Sequence, residues 1–210
     1  LGHHGVLPVL QHGAGLVLQL GEARNDAAAG RTLARWRTGI RLMSATGRIF
    51  GVPITLLDMQ GTLELCAGLI EQRRPVQHVV LNASKVVMMH DDPRLKAIIE
   101  GCDVVNADGQ SIVWAGRLLG VPVPERVAGI DLMGLLLERC AAEGWPVYFL
   151  GARPDVLDDF VRVALSRLPD LRVAGFRDGY FSQDEEAEVA ADIARSGARV
   201  VFVATSASSS

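Results

Sequence analysis

The stretch CDVVNADGQSIVWAGRLLGVPVPERVAGID, Cys102 to Asp131, decides the fold of this chain. It predicts a short apolar strand over Asp103–Asn106, a break at Asp108-Gly109 and a helix over Gln110–Leu119. A proline-rich loop with an arginine follows, and then the start of a second helix. A carboxylate at a strand-to-helix turn lies at the carboxyl edge of a sheet, where open α/β proteins bind their ligands.

Short apolar runs alternate with amphipathic segments on both sides of this stretch. Apolar runs bounded by glycine, proline or asparagine predict buried strands, and apolar positions three and four apart predict helices. This alternation indicates an α/β protein with a mostly parallel, Rossmann-like sheet covered by helices on both faces. The predicted strands are Ile49–Asp58 with a Gly-Pro bend, Val76–Leu81, Pro146–Leu150, Leu171–Gly175 and Arg199–Ala204, and the predicted helices include Met59–Gln72, Asp155–Leu168 and Gln183–Ser196.

The two ends of the chain carry less information. We predict a poorly defined N-terminal leader over residues 1–48 and a folded domain over residues 49–210. His3, His4 and His12 have no carboxylate or cysteine near them in the sequence, so we predict no metal site there. The sequence ends just after the last predicted strand, where the loop of a parallel sheet usually lines the ligand site. We therefore expect part of the site to lie outside this sequence.

The composition excludes several classes of protein. The formal net charge is −3, whereas a general nucleic-acid binder would carry a basic face. No apolar run of about 18 residues occurs, so no transmembrane helix is predicted. Cys66, Cys102 and Cys140 lie singly in apolar segments and form no CxxC pair, which predicts buried, reduced thiols.

Asp108 has two interpretations. An aspartate before Gly-Gln-Ser is a good N-cap for the following helix, worth about 1 kcal/mol, and the spacing alone favours this role. The other interpretation is a general base. A carboxylate near the positive end of a helix stays ionised and can accept a proton from a substrate hydroxyl. Gly109 shares the turn and is a candidate for ligand binding.

The loop VPVPERVAG carries the next candidates. Arg126 can hold phosphate oxygens in a two-pronged geometry. Its alternative role is an ion pair with Glu125 or another nearby carboxylate. Gly129 and Asp131 flank the start of the next helix, where an aspartate is more often an N-cap than a ligand.

The later part of the chain offers weaker candidates. Gly151, in LGARP, follows a strand, and the backbone N–H groups of this turn could cradle a diphosphate. Tyr180, in the turn RDGY, could stack on a base or simply pack within the turn. Neither GxGxxG nor GxxxxGK[ST] occurs, which argues against a Rossmann-type dehydrogenase and a nucleoside triphosphate site. These residues alone indicate transfer chemistry on a phosphorylated ligand.

Seven motifs occur in one order along the chain: IFGVPITLLD, VVLNASKVV, CDVVNADGQSIVWAGRLLG, PERVAGIDL, VYFLGARP, LPDLRVAGFRDGYF and IARSGARVVFVA. With them the chain resembles, from about Ile49 to Ala204, the WecG/TagA/CpsF family of bacterial glycosyltransferases. The resemblance implies an inverting transfer of a hexose or N-acetylhexosamine, often N-acetylmannosamine, from a UDP-sugar to an undecaprenyl-diphosphate-linked sugar. Such transfers build teichoic acid, enterobacterial antigen or exopolysaccharide. No metal and no other cofactor is implied.

The resemblance also implies roles for individual residues. Asp108 matches the acid of the family's DG turn, which would deprotonate the acceptor hydroxyl. Arg126 matches the ERxxG arginine, which would hold the leaving diphosphate. Asn82 matches an asparagine at a strand-end turn and is implied as a substrate contact, whereas Val80 stands where family members often carry threonine. We group the remaining candidates, Gly109, Gly129, Asp131, Gly151 and Tyr180, with the substrate-binding residues.

The family pattern continues after the last strand with G/S-x-P-[KR]-[QK]-E and a basic segment that touches the membrane, and neither occurs in this sequence. The resemblance implies a cytoplasmic enzyme, peripheral at the inner face of the plasma membrane, with that contact expected through the absent segment. The implied partners are a UDP-sugar donor and a lipid-linked acceptor, and a homo-oligomer is also open. The alternative is a truncated, non-catalytic fragment that binds a nucleotide sugar.

Overall fold

The computed structural model describes residues 15–18, 46–73 and 76–204, with residues 15–18 and 183 described by their backbone alone. In this part of the chain the strands are β1 Gly15–Leu18, β2 Thr46–Ile49, β3 Val52–Thr55, β4 Val76–Leu81, β5 Val104–Ala107, β6 Val147–Gly151, β7 Val173–Arg177 and β8 Val200–Ala204. The helices are α1 Met59–Glu71, α2 Ala83–Asp91, α3 Pro93–Gly101, α4 Gln110–Leu118, α5 Gly129–Glu143, α6 Pro154–Arg167 and α7 Glu186–Ser196.

Six of these strands form one sheet in the order β5-β4-β1-β8-β6-β7. Strand β4 runs parallel to β5, and β6 runs parallel to both β7 and β8. Strand β1 pairs antiparallel with β4 on one side and with β8 on the other, so the other five strands all point the same way. The predicted α/β class with a mostly parallel sheet is confirmed.

Strand β1 lies within the range predicted as a poorly defined leader. Four residues, Gly15–Leu18, form this strand at the centre of the sheet. This strand could not be predicted from its four residues, because it is extended only through pairing with two strands that are distant in the sequence. The other predictions for residues 1–45, including those on His3, His4 and His12, lie outside the described residues, as does the predicted loop at Thr205.

The predicted bent strand over Ile49–Asp58 belongs to a hairpin that spans Thr46–Thr55. Strands β2 and β3 pair antiparallel around Phe50 and Gly51, whose φ values are 51° and 83°. Two consecutive residues with positive φ make the tight turn that matches the twist of paired strands. The predicted run therefore contains the turn and the second strand of the hairpin, whereas the first strand begins before it, at Thr46.

Side chains alternate between the two faces of the sheet, and helices cover both. On one face, Val104 and Val147 pack with residues of α1, α5 and α6. On the other, Val105 and Leu81 pack with α2, α3 and α4, and Leu150 packs with α7. Each fully buried aliphatic side chain contributes about 1.5–3 kcal/mol to the free energy of folding. Because both faces of these strands are buried, most of their residues are apolar.

Some predicted boundaries shift by one or two residues. Strand β5 begins at Val104 because the Asp103 carboxylate accepts a hydrogen bond from the backbone N–H of Gln77 at 2.9 Å, before the ladder starts. Strand β7 covers Val173–Arg177, since Leu171 still belongs to a turn closed on the carbonyl of Leu168 at 3.0 Å. Among the helices that the structure describes, none combines the length and apolar character needed to cross a bilayer.

Candidate active site

Asp108 follows the last residue of β5 at the carboxyl edge of the sheet. Its backbone N–H donates to the carbonyl of Leu81, at the end of β4, at 2.8 Å. The N-cap of α4 is Gly109, with φ of 108°, and no side chain caps this helix. The alternative role of Asp108 as a helix cap is therefore wrong. No group in the described part of the chain donates a hydrogen bond to its half-buried carboxylate, which leaves both oxygens available to a ligand.

The proline-rich loop that carries Arg126 is tied to the end of β5, the strand that precedes Asp108. The backbone N–H of Val127 donates to the carbonyl of Ala107 at 2.8 Å. The Arg126 guanidinium lies 3.7 Å from the Asp131 carboxylate, and the two side chains are 52% and 59% exposed. Exposed ion pairs of this kind contribute little, about 0–1 kcal/mol, so a phosphate can replace the carboxylate at small cost.

Glu125 does not pair with Arg126, although the sequence left that pairing open. Its Oε1 accepts a hydrogen bond from the backbone N–H of Met59 at 2.7 Å, at the first turn of α1. The glutamate thereby stabilises the start of α1 and gives the loop a second attachment besides Val127. The residues on either side of Arg126 make these two hydrogen bonds, and neither bond involves the Arg126 side chain.

The N-terminus of α5 lies over the end of β4. A Cβ on Gly129 would lie 3.2 Å from Cγ2 of Val80, so a glycine allows the helix to start close to the strand. The N-cap is Ala128, without a side-chain hydrogen bond, and Asp131 sits in the first turn. Asp131 is therefore not the N-cap; its charge stabilises the positive end of the helix dipole.

Asn82 caps α2, the helix that follows β4. Its Oδ1 accepts a hydrogen bond from the backbone N–H of Lys85 at 2.9 Å. The side chain is half-buried at the carboxyl edge of the sheet, on the strand next to Asp108. A substrate contact by Asn82 remains a prediction; its amide nitrogen and the second lone pair of its oxygen could both serve.

A comparison with known families identifies the family of this chain. A match to the Glycosyl transferase WecG/TagA/CpsF family covers residues 47–209. The chain belongs to this family. The resemblance inferred from the seven motifs is confirmed, and the family is one of glycosyltransferases of cell-surface polysaccharide synthesis.

Two predicted site residues of this WecG/TagA/CpsF family member lie on the other half of the sheet. Gly151 ends β6, and Tyr180 is exposed in the loop after β7. Four strand spacings separate β5 from β6, which is about 19 Å at about 4.8 Å per spacing. The structure therefore brings six predicted residues together near β4 and β5 and leaves these two apart.

Gly151 has a structural requirement of its own. Its φ is 124°, and a Cβ there would lie 2.2 Å from the carbonyl oxygen of Ala204. The next backbone N–H, of Ala152, donates to that same carbonyl at 2.9 Å. The glycine is thus needed for the close approach of β6 and β8, whether or not a diphosphate binds there.

Sequence reasoning missed a buried polar cluster beneath this edge of the transferase. Nε2 of His78 lies 2.9 Å from Oδ1 of Asn106, and Nδ2 of Asn106 donates to Oγ1 of Thr62 at 2.9 Å. Since the Asn106 amide nitrogen is used as a donor, its oxygen accepts from His78, which is neutral with its proton on Nε2. Burial lowers the pKa of His78 to about 4, and the Lys85 charge acts in the same direction, against the bond to Asn106.

Lys85 is the second residue that the sequence did not single out. Its Nζ donates to the carbonyl of Val80 at 3.0 Å, and the side chain is buried. Burial lowers the pKa of Lys85, while the charges of Cys102 and Asp108 raise it. A lysine in the first turn of a helix, where a cation is unfavourable, was the signal in the sequence.

The remaining reactive groups of this transferase are its cysteines and the side chains that could bind a metal. All three cysteines are free and buried, as the sequence predicts. Burial raises the pKa of Cys66 and of Cys140 to about 12. Within residues 46–73 and 76–204, no three His, Cys, Asp or Glu side chains are grouped as a metal site requires.

Proposed function

We propose that this chain transfers a hexose or an N-acetylhexosamine, such as N-acetylmannosamine, from a UDP-sugar to an undecaprenyl-diphosphate-linked sugar, with inversion. The observation that carries the proposal is the Asp108 carboxylate. It stands within the family-matched residues, at the carboxyl edge of the sheet, with no capping role. This edge is where open α/β sheets bind nucleotides and their substrates.

The reaction proposed is a single displacement. The acceptor hydroxyl oxygen attacks the anomeric carbon on the face opposite to UDP, and the new carbon–oxygen bond forms as the bond to the β-phosphate oxygen breaks. Asp108 accepts the hydroxyl proton, and UDP leaves with the electron pair. General base catalysis of this kind contributes about 10²–10⁴-fold to the rate. The proposed reaction uses no metal and no other cofactor.

Arg126 is proposed to bind the leaving diphosphate. The guanidinium is exposed and lies 3.7 Å from the exposed Asp131 carboxylate, on a loop that is bonded to the end of β5 through Val127. Its fixed charge would compensate the negative charge that develops on UDP, and the uncapped amides at the start of α5 would assist. Asn82 and Gly109, at the same edge, are proposed contacts of the sugar.

An exposed stripe on α4 supports a lipid-linked acceptor. Trp114 is 61% exposed and Leu118 is 91% exposed, and they follow Gln110 at intervals of four, so they lie on one stripe that begins beside the Asp108 turn. Arg117 adds a positive charge, and α4 has no acidic residue. Tryptophan, leucine and arginine together suit the interface of an anionic bilayer, which would place the enzyme at the inner face of the plasma membrane.

The test is transfer from a UDP-N-acetylhexosamine to a lipid-diphosphate-linked sugar, together with UDP binding by calorimetry. Asp108→Asn should retain UDP affinity and lose turnover by about 10²–10⁴-fold. Normal turnover by this variant would eliminate Asp108 as the base. Binding of UDP without transfer by the unaltered chain would instead support the non-catalytic alternative.

Arg126→Ala should weaken UDP binding by about tenfold to a hundredfold, because a charged hydrogen bond to phosphate contributes about 1.5–3 kcal/mol. Arg117→Ala is the matched control, since it removes an exposed arginine of helix α4 that is not part of the proposed diphosphate site. Equal UDP affinity in both variants would contradict the role of Arg126.

A further inference from the structure

The loop that carries Arg126 is attached to two different elements, one on each side of that residue. The backbone N–H of Val127 donates to the carbonyl of Ala107, the last residue of β5, at 2.8 Å. The Glu125 carboxylate accepts from the backbone N–H of Met59, the first residue of α1, at 2.7 Å. The partners of this second bond are 66 residues apart, so it depends on the fold and not on local sequence.

The amino end of α1 lies at the same edge of the sheet as Asp108. Oγ1 of Thr62, one turn into α1, accepts from Nδ2 of Asn106 at 2.9 Å, and Asn106 precedes Asp108 by two residues. Hydrogen bonds therefore join β5 to α1, α1 to Glu125, and the residue after Arg126 back to β5. This closed set of contacts fixes the backbone of the arginine loop relative to the strand that precedes the proposed base.

Helix α1 does not depend on Glu125 for its cap. Its N-cap is Asp58, whose Oδ1 accepts from the backbone N–H of Gly61 at 2.7 Å. A helix start has four backbone N–H groups without a partner inside the helix, and Met59 supplies another of them. The long-range bond is thus made to a helix start that is already capped, and its main effect falls on the loop that supplies the glutamate.

The position of the Arg126 guanidinium depends mainly on where its backbone is held. The side chain is 52% exposed, and its ion pair with Asp131 spans 3.7 Å. A long side chain with several rotatable bonds is poorly fixed by one exposed contact of this kind. Three exposed residues, 124–126, stand between the buried Val123 and Val127, and the bond to α1 gives this exposed segment an attachment of its own.

We propose that Glu125 is a positioning residue for the diphosphate site: its bond to the start of α1 holds Arg126 where the guanidinium meets the phosphate oxygens of UDP. This role rests on the proposed function of Arg126. Glu125 acts through the backbone of the loop and not through contact with UDP. A loop without this attachment would have to be ordered when UDP binds, and that cost lowers the affinity.

Charge and position predict opposite results for Glu125→Ala. Removal of a negative charge next to a phosphate site would by electrostatics alone strengthen UDP binding. Loss of the attachment would weaken it, and we expect UDP affinity, measured by calorimetry, to fall by about five- to tenfold. The loss should be smaller than in Arg126→Ala, because the arginine is still present. Unchanged or stronger UDP binding in Glu125→Ala would overturn the inference.

Two conservative variants test the bond itself. Glu125→Gln removes the charge but keeps an oxygen that can accept from the Met59 amide, so UDP affinity should remain within about threefold of the original. Glu125→Asp keeps the charge but is one methylene shorter, so it should lose affinity as Glu125→Ala does. The reverse order, with affinity kept by Glu125→Asp and lost by Glu125→Gln, would overturn the inference, because charge and not the bond would then matter.

Asp58→Ala is the matched control for stability. It removes the other carboxylate at the same helix start, so thermal unfolding should show a loss of stability at least as large as in Glu125→Ala. UDP affinity should nevertheless stay near that of the original chain, because the loop keeps its attachment. An equal loss of UDP affinity in the two variants would overturn the inference, since Glu125 would then only stabilise α1.

A double substitution separates this inference from the proposed function. If Glu125 acts through Arg126, adding Glu125→Ala to Arg126→Ala lowers UDP affinity no further. A further fall of about fivefold would overturn the inference and leave the role of Arg126 in place. Unchanged affinity in Arg126→Ala alone would instead refute the proposed diphosphate contact, and the role of Glu125 with it. The readout is UDP binding, so it applies whether or not the chain completes the transfer.

Discussion

A neutral histidine buried beneath the site makes the stability of this protein depend on pH in a defined window. His78 is 1% exposed, its Nε2–H is bonded to Asn106, and Nδ1 has no partner among the described residues. Burial, reinforced by the nearby Lys85 ammonium, lowers its pKa from 6.5 to about 4. Protonation of His78 in the folded state is therefore unfavourable.

The direction of the effect follows from proton linkage. Above pH 6.5 His78 is neutral in both states and contributes no pH dependence. As the pH falls through 6.5 the unfolded chain binds a proton that the folded protein does not, so the free energy of unfolding decreases until about pH 4. The pKa difference corresponds to about 3 kcal/mol in total, of which about 2 kcal/mol is lost by pH 5.

The assay is urea unfolding followed by circular dichroism at several pH values between 7.5 and 5. His78→Gln cannot titrate, so its free energy of unfolding should fall by about 2 kcal/mol less over this range than that of the original chain. The matched control is His90→Gln, because His90 is exposed at the end of α2, and it should follow the original chain. Parallel curves for the original chain and His78→Gln would refute a buried, neutral His78.

Three further predictions concern the backbone, the thiols and the lipid face. Gly151→Ala should lower the free energy of unfolding by about 3 kcal/mol, measured by urea titration, because its Cβ would overlap the Ala204 carbonyl; an unchanged midpoint would contradict the close approach. Cys66 and Cys140, with pKa values of about 12, should not react with a thiol-specific disulfide reagent at pH 8 until urea unfolds the chain; fast labelling of the folded protein would show that they are accessible. Trp114→Ser should raise KM for a lipid-linked acceptor in anionic vesicles by about tenfold without changing UDP affinity or the unfolding temperature, and an unchanged KM would exclude a lipid contact there.

Local sequence was sufficient to predict the bounds of an element where its own residues determine them. Strand β4 has the predicted bounds, Val76–Leu81, because VQHVVL is rich in valine and leucine and is followed by the turn at Asn82. The break between α2 and α3 was also predictable, since Asp92 accepts hydrogen bonds from the first turn of α3 and Pro93 cannot continue a helix.

Local sequence was not sufficient to predict residues whose position depends on contacts with distant segments. Spacing favoured Asp108 as a helix cap, but the N-cap is Gly109, whose φ is positive, and the Asp108 carboxylate does not cap the helix. The position of Arg126 depends on the hydrogen bond between Val127 and Ala107, which joins residues twenty apart in the sequence. A sequence pattern contains no information on such pairings, so the distance between Asp108 and Gly151 could not be predicted either.

The antiparallel strand at the centre of the sheet has a consequence for the order of folding. Leu16 pairs with Phe202 and with His78, so the first described strand is bonded to the last described strand. Contacts between such distant residues form slowly, because a long loop must close first. During synthesis, β4 and β5 can pair early, whereas β1 cannot gain its second neighbour until β8 has left the ribosome. A chain that lacked Gly15–Leu18 would expose two unpaired edges in the middle of the sheet, and unpaired edges promote aggregation.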